Sequence, residues 1–150
     1  MDNATTRSID TISRTCIAVR LRLLNRVVTN FYDDALRPLG LKVSQLNLLI
    51  VAAKLGLARP AQVCEILHLD ASTLSRNVKP LQAHGWLEVV PEADARAQPF
   101  RLTAQGKRLL EKAVPAWEAA QRRASELLGE EGLALLDKAA KKLRQSGAEG

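Results

Sequence analysis

A chain of 150 residues is long enough to bury roughly 70% of its unfolded surface as one domain, and its two cysteines, Cys16 and Cys64, are too few for a disulfide scaffold. Hydrophobic residues make up 47% of it but aromatics only 3%, which argues against a β-sandwich and for a helical core built from Leu, Ala and Val. The net charge of +6 does not settle a nucleic-acid partner, because residues 7–42 carry seven basic and three acidic side chains while residues 60–105 carry four basic and five acidic.

From Ile9 to Leu39, apolar residues recur at helical spacing along two lines, one through Ile12, Cys16, Val19, Leu23, Val27 and Phe31, the other through Ile17, Leu21, Leu24, Val28 and Ala35. One long helix is expected, stopped by Pro38 and Gly40. Two stripes are more than a surface helix needs, so contact with a partner subunit is expected as well. Ser44 is a plausible N-cap for a second helix, whose buried face would be Leu46, Leu49, Ile50, Ala53 and Leu55, with Gly56 at its end. Pro60 suits the first turn of a short helix with Val63, Ile66 and Leu67 inward. Asp70 or Ser72 can cap the next helix; its apolar side is Leu74, Val78 and Leu81, and Gly85 closes it. Pro80 lies within that helix and predicts a kink or an end after Lys79.

Leu87 and Val89 alternate with polar or outward positions on one strand, and Phe100 and Leu102 on another, with residues 91–99 between them. Thr103 should cap a long helix with Leu109, Leu110, Ala113, Trp117 and Ala120 inward and a bend at Pro115. Gly129 and Gly132 bracket a turn, a last helix carries Leu133, Leu136, Ala140 and Leu143 on one face, and residues 146–150 should fray. The expected fold is mainly α: a winged helix-turn-helix lobe over residues 43–105 with a two-stranded wing, flanked by dimerisation helices in residues 1–42 and 106–150.

The order short helix, turn, polar helix, strand, loop, strand points to DNA recognition. Short polar side chains at the start of a helix can approach base edges and phosphates in the major groove, which suits Ser72, Thr73 and Ser75. Arg76, one turn in, can reach guanine with a bidentate fork, and Lys79 can contact a phosphate. Taken in isolation such a stretch is more often a solvated helix face; its neighbours reverse that reading. In the loop, Arg96 would enter the minor groove with Asp94 holding the guanidinium or the turn. The alternative is a hairpin tip with a local ion pair.

These residues, together with Leu36-Arg37-Pro38-Leu39-Gly40-Leu41, Leu69-Asp70-Ala71-Ser72-Thr73-Leu74-Ser75-Arg76, His84-Gly85-Trp86-Leu87, Asp94-x-Arg96 and Leu102-Thr103-Ala104-Gln105-Gly106, resemble the multiple-antibiotic-resistance regulator (MarR) family of winged-helix transcription regulators. The resemblance covers nearly all of the chain. It implies a homodimer with interlocked N- and C-terminal helices, two lobes on a palindromic double-stranded operator, and repression relieved by a ligand, such as a small phenolic or other hydrophobic effector, or by an oxidant.

Cys16 lies near where the peroxide-sensing branch of that family carries its reactive thiol. Arg14 and Arg20 are close in sequence, but the branch's tyrosine partners have no counterpart here, where Tyr32 stands alone. A structural thiol on the apolar stripe is the competing reading. Cys64 and His68 are four apart, a metal-ligand spacing, but two ligands do not make a site, so no metal and no cofactor is expected. No nucleophilic triad, phosphate loop or paired-carboxylate pattern suggests an enzyme. Trp117 and the apolar first helix are candidates to line an effector crevice. With no apolar run of roughly 18 residues, and nothing before Ile9 like the apolar segment of a secretion signal, a cytoplasmic protein with no membrane partner is expected. Two other functions remain: a thiol-based redox sensor, and a winged helix used for protein contacts.

Overall fold

Asp2 opens the first helix in the computed structural model, which describes residues 2–92 and 98–146. Its carboxylate accepts from the N–H groups of Ala4 and Thr5, and α1 runs Asn3–Thr15. The single long helix expected from Ile9 is two helices, because Cys16 adopts an extended conformation (φ −61°, ψ 113°) and α2 begins afresh at Ile17–Leu36. A run of hydroxyls in α1 leads up to the break. Ser8, Thr11, Ser13 and Thr15 all donate back to carbonyls three or four residues earlier, and the Arg20 guanidinium donates to the carbonyl of Arg14.

A 3-10 turn, Arg37–Leu39, ends at Gly40 in the left-handed region (φ 67°). Then α3 spans Val43–Leu55, starting one residue before Ser44. Its first free N–H groups are met from α2 and from its own first turn: Asp33 Oδ1 on α2 accepts from Val43 at 2.8 Å, and Gln45 Oε1 accepts from Lys42 at 3.0 Å. This helix is wrapped more fully than its expected stripe, since Leu46, Leu48, Leu49, Val51 and Ala52 are buried while Ala53 is exposed.

Helix α4 (Pro60–Leu67) starts at Pro60 as expected and buries Val63, but Ile66 points outward. His68 ends it in the left-handed conformation (φ 50°). Helix α5 (Ala71–Ala83) buries Leu74, Val78 and Leu81. It does not stop after Lys79. Helical structure continues through Pro80 to Ala83, because buried Val78 and Leu81 hold both sides of the proline, and the Gly85 N–H to Gln82 and Trp86 N–H to Leu81 bonds close the end. Strands β1 (Leu87–Val89) and β2 (Phe100–Leu102) pair antiparallel with Leu87 opposite Leu102 and Val89 opposite Phe100. Ala58 adds a bridge to Phe100 with reciprocal bonds of 2.8 and 2.9 Å, tying the turn before α4 into the wing.

Helix α6 (Ala104–Ser146) starts beneath Thr103, whose Oγ1 accepts from the Gly106 N–H at 3.0 Å and donates to the Gly85 carbonyl at 2.6 Å. Gly106 is obligatory here: a Cβ would lie 2.2 Å from the Trp86 carbonyl oxygen. Pro115 keeps helical dihedrals, and the interruption falls at Gly129 (φ 66°, ψ 174°). Trp117, expected inward, is 40% exposed.

The core is one cluster running from Leu36 and Leu41 through α3, Val63, α5, Trp86, Leu87 and Phe100 to Leu109 and Ala113. Helix α1 buries nothing and α2 only Leu36, although α2 packs extensively against α6. Ile12, Ile17, Leu21 and Leu23 are exposed on α1 and α2, and Leu127, Leu135 and Leu143 on α6.

Candidate nucleic-acid interface

Asp70, in extended conformation (φ −79°, ψ 160°), is the N-cap of α5. Its Oδ1 accepts from the Thr73 N–H at 2.7 Å and from Ser72 Oγ at 2.7 Å, and its Oδ2 accepts from Thr73 Oγ1 at 3.0 Å. These bonds to Ser72 and Thr73, with a smaller contribution from the charge of Arg76, hold the Asp70 carboxyl down at about 2. Arg76 Nη2 in turn donates to Thr73 Oγ1 at 3.3 Å. The apolar side of α5 is in the core, which leaves Ser72, Ser75, Arg76 and Lys79 on the exposed side and Thr73 partly covered. Ser72, Thr73, Ser75, Arg76 and Lys79 thus occupy the first three turns of one helix. Asp94 and Arg96, the loop pair, lie outside the described residues.

Among the described residues of the wing, Glu88, Glu92 and Arg101 are all paired. Arg101 stands opposite Glu88 in register and pairs with it at 2.6 Å, so its charge is engaged within the sheet. Sequence reasoning missed Arg59, which forms two bonds of 2.8 and 2.9 Å with Glu92 and so ties the start of α4 to the root of the wing loop. That pairing raises the Arg59 pKa and lowers that of Glu92. No local pattern could have revealed it, since the partners are 33 residues apart. Trp86 is buried and stacks on the His84 ring at 4.3 Å and 14°.

The other candidates are placed as follows. Cys16 is half-buried at the break between α1 and α2, and no tyrosine partner is bonded to it among the described residues. Tyr32 instead donates to Gln121 on α6, and burial raises its pKa. Cys64 is half-buried and shares an open crevice with Glu65, Ile66, His68, Leu143 and Arg144. Among the described residues no three His, Cys, Asp or Glu side chains gather as metal ligands. A separate apolar crevice of about 320 Å³ is lined by Leu46, Ile50, Leu110, Ala113, Val114 and Trp117. Trp117 is there as expected, but its companions come from α3 and α6 and not from the first helix.

A short helix, a capped polar helix and an antiparallel hairpin strapped back to the first by Ala58 define a winged helix-turn-helix. The MarR family model matches residues 39–97, the segment that holds α3, α4, α5 and β1. The fold of a mutant MarR from E. coli, solved with operator DNA, superposes with a TM-score of 0.77 at 20% identity over 89% of this chain and 96% of that one. AbsC, a MarR family transcriptional regulator from Streptomyces coelicolor, superposes with a TM-score of 0.69 at 26% identity over 89% and 93%. In sequence, an uncharacterized HTH-type transcriptional regulator of Bacillus subtilis (strain 168), YwoH, is 25% identical over 58% of this chain; the match spans 64% of that relative's length. Residues 39–97 thus carry a MarR-family segment, and the fold over most of the chain is that of solved MarR-family winged-helix proteins.

Proposed function

We propose that the chain is a sequence-specific repressor that binds a palindromic double-stranded operator as a cytoplasmic homodimer. The carrying observation is the two-sidedness of α5: Leu74, Val78 and Leu81 lock it into the core, while Ser72, Ser75, Arg76 and Lys79 face outward from its first three turns. A helix fixed on one side and polar on the other can enter a major groove as a rigid body. Arg76 reads guanine, Lys79 meets a phosphate, and Arg96, steadied by Asp94, takes the minor groove. The operator-bound state of the E. coli MarR relative supports this reading.

The division into a reading lobe of residues 43–105 and dimerisation segments of residues 1–42 and 106–150 follows the exposed apolar lines of α1, α2 and the end of α6, which a second copy would cover. Two-fold symmetry then sets half-sites about one helical turn, roughly 10 bp, apart. The crevice at Leu46, Ile50, Leu110 and Trp117 has the apolar lining for a small phenolic or similar effector, and it joins α3 of the lobe to α6, where a ligand would alter lobe spacing. Oxidation at Cys16, on the break between α1 and α2, is the second route to release.

Titrating labelled duplexes from a random-library selection over a salt series tests the reading. Affinity should fall steeply with salt, and a protein with no measurable duplex affinity at low salt is not a DNA-binding regulator. Arg96→Ala should weaken binding without changing the melting curve. Phenolics that release DNA should also change Trp117 fluorescence. Mild peroxide that leaves Cys16 unmodified by mass spectrometry and operator binding intact removes the oxidant route.

A further inference from the structure

Asp70 is exposed, yet both its oxygens are engaged by hydroxyls of residues placed at the proposed groove: Ser72 Oγ on Oδ1 and Thr73 Oγ1 on Oδ2. An ionised carboxylate only accepts, so the direction of these bonds follows from the chemistry: both hydroxyls spend their protons on Asp70. Thr73 Oγ1 then has lone pairs left, and one accepts from Arg76 Nη2 at 3.3 Å. The bonds run in one sense, from guanidinium to hydroxyl to carboxylate, along a single turn of α5.

That polarity changes what the surface can recognise. Phosphate oxygens are acceptors, and hydroxyls whose protons are committed to Asp70 have nothing to donate to them. In the major groove, the groups that donate to an acceptor are the amino groups of adenine N6 and cytosine N4. Arg76, held through one Nη, keeps its remaining N–H groups for an acceptor pair, which guanine O6 and N7 supply.

We propose that Asp70, Thr73 and Arg76 form a specificity relay in which Asp70 is a positioning residue. It makes Ser72 an acceptor for an adenine or cytosine amino group and, through Thr73, aims Arg76 at guanine. The relay rests on the reading that α5 enters the major groove. It narrows the expectation that Ser72 and Thr73 approach base edges and phosphates to base edges, and assigns Asp70 a role in base selection beyond capping the helix.

The test uses the full chain. Duplexes selected from a random library by the wild type are titrated against versions with single base changes, for wild type, Thr73→Val, Thr73→Ser and Asp70→Asn, with folding followed by circular dichroism. The readout is the ratio of affinities, since a merely structural defect lowers binding to all duplexes alike. Thr73→Val should lose roughly tenfold of the preference for guanine at one position per half-site, the scale of one bidentate contact. Thr73→Ser, which keeps the hydroxyl, should restore it. Asp70→Asn still caps the helix but can donate as well as accept, so it should relax selection both at that guanine and at the amino-bearing base. Unchanged selectivity in Thr73→Val overturns the relay while the DNA reading stands; should Thr73→Val not fold, unchanged selectivity in Asp70→Asn does the same. A wild type that enriches no duplex overturns both.

Discussion

The winged-helix lobe and the helical ends of this chain treat apolar side chains in opposite ways. Within the lobe, Leu48, Leu49, Leu81, Leu87 and Phe100 are closed off from solvent by other parts of the same chain. At the ends, Ile17 is 72% exposed, Leu23 60% and Leu135 68%, although their spacing is as regular as that of any core helix. The difference teaches that amphipathic periodicity specifies a face to be covered and leaves open which molecule covers it. The lobe's stability is a property of one chain, whereas that of the ends should depend on protein concentration through the proposed partner.

Placing a charge in the uncovered face should give the largest effect. In the proposed dimer Leu23→Asp would remove roughly 1.5–3 kcal/mol of apolar burial in each of two copies, so sedimentation should report monomers for the variant and dimers for the wild type. A monomeric wild type would collapse the contrast. Phe100→Ala, inside the lobe, should cost about 3–5 kcal/mol, lowering the melting temperature by an amount that does not change with protein concentration. Gly106→Ala forces a methyl against the Trp86 carbonyl and should cost about 1–3 kcal/mol, measurable by urea titration.

Acid should act on the start of α5. The Asp70 pKa falls from 3.8 to about 2 on folding, so its contribution is complete above the unfolded value and disappears as pH drops from near 4 to near 2. Glu92, held low by its bond to Arg59, and Asp137, held low by Lys141, act in the same sense. Melting curves across that range should flatten in Asp70→Asn relative to wild type. The smallest change is expected from Glu92→Gln, because its pair with Arg59 is exposed and screened by salt; its difference from wild type in a melt should vanish at high salt.

Much of the lobe was legible because its signals are local. The cap at Asp70, Pro60 at the start of α4, the turn at Gly85, the alternation in both strands and Thr103 beneath α6 each depend on neighbours a few residues away. The misreadings share a different cause. Asp33 meets the first N–H of α3, where Ser44 was expected to cap, because a side chain on α2 happens to reach it. Pro80 fails to end α5 because flanking side chains are buried. At the candidate interface, the residue types were readable, but Arg101's engagement with Glu88 and the Arg59–Glu92 strap were not.

By itself, then, the sequence determined which segments of the lobe are helix and which strand, which residues stand on the outward side of α5, and that the terminal helices carry more apolar surface than one chain uses. These follow from periods of 3.6 and 2 and from capping chemistry, all short-range in the chain. Only the tertiary structure decided the bridge from Ala58 to Phe100, the strap from Arg59 to Glu92, and the reach of Asp33 to the start of α3. Those depend on distances and donor geometry between particular atoms, and periodicity carries no information about either.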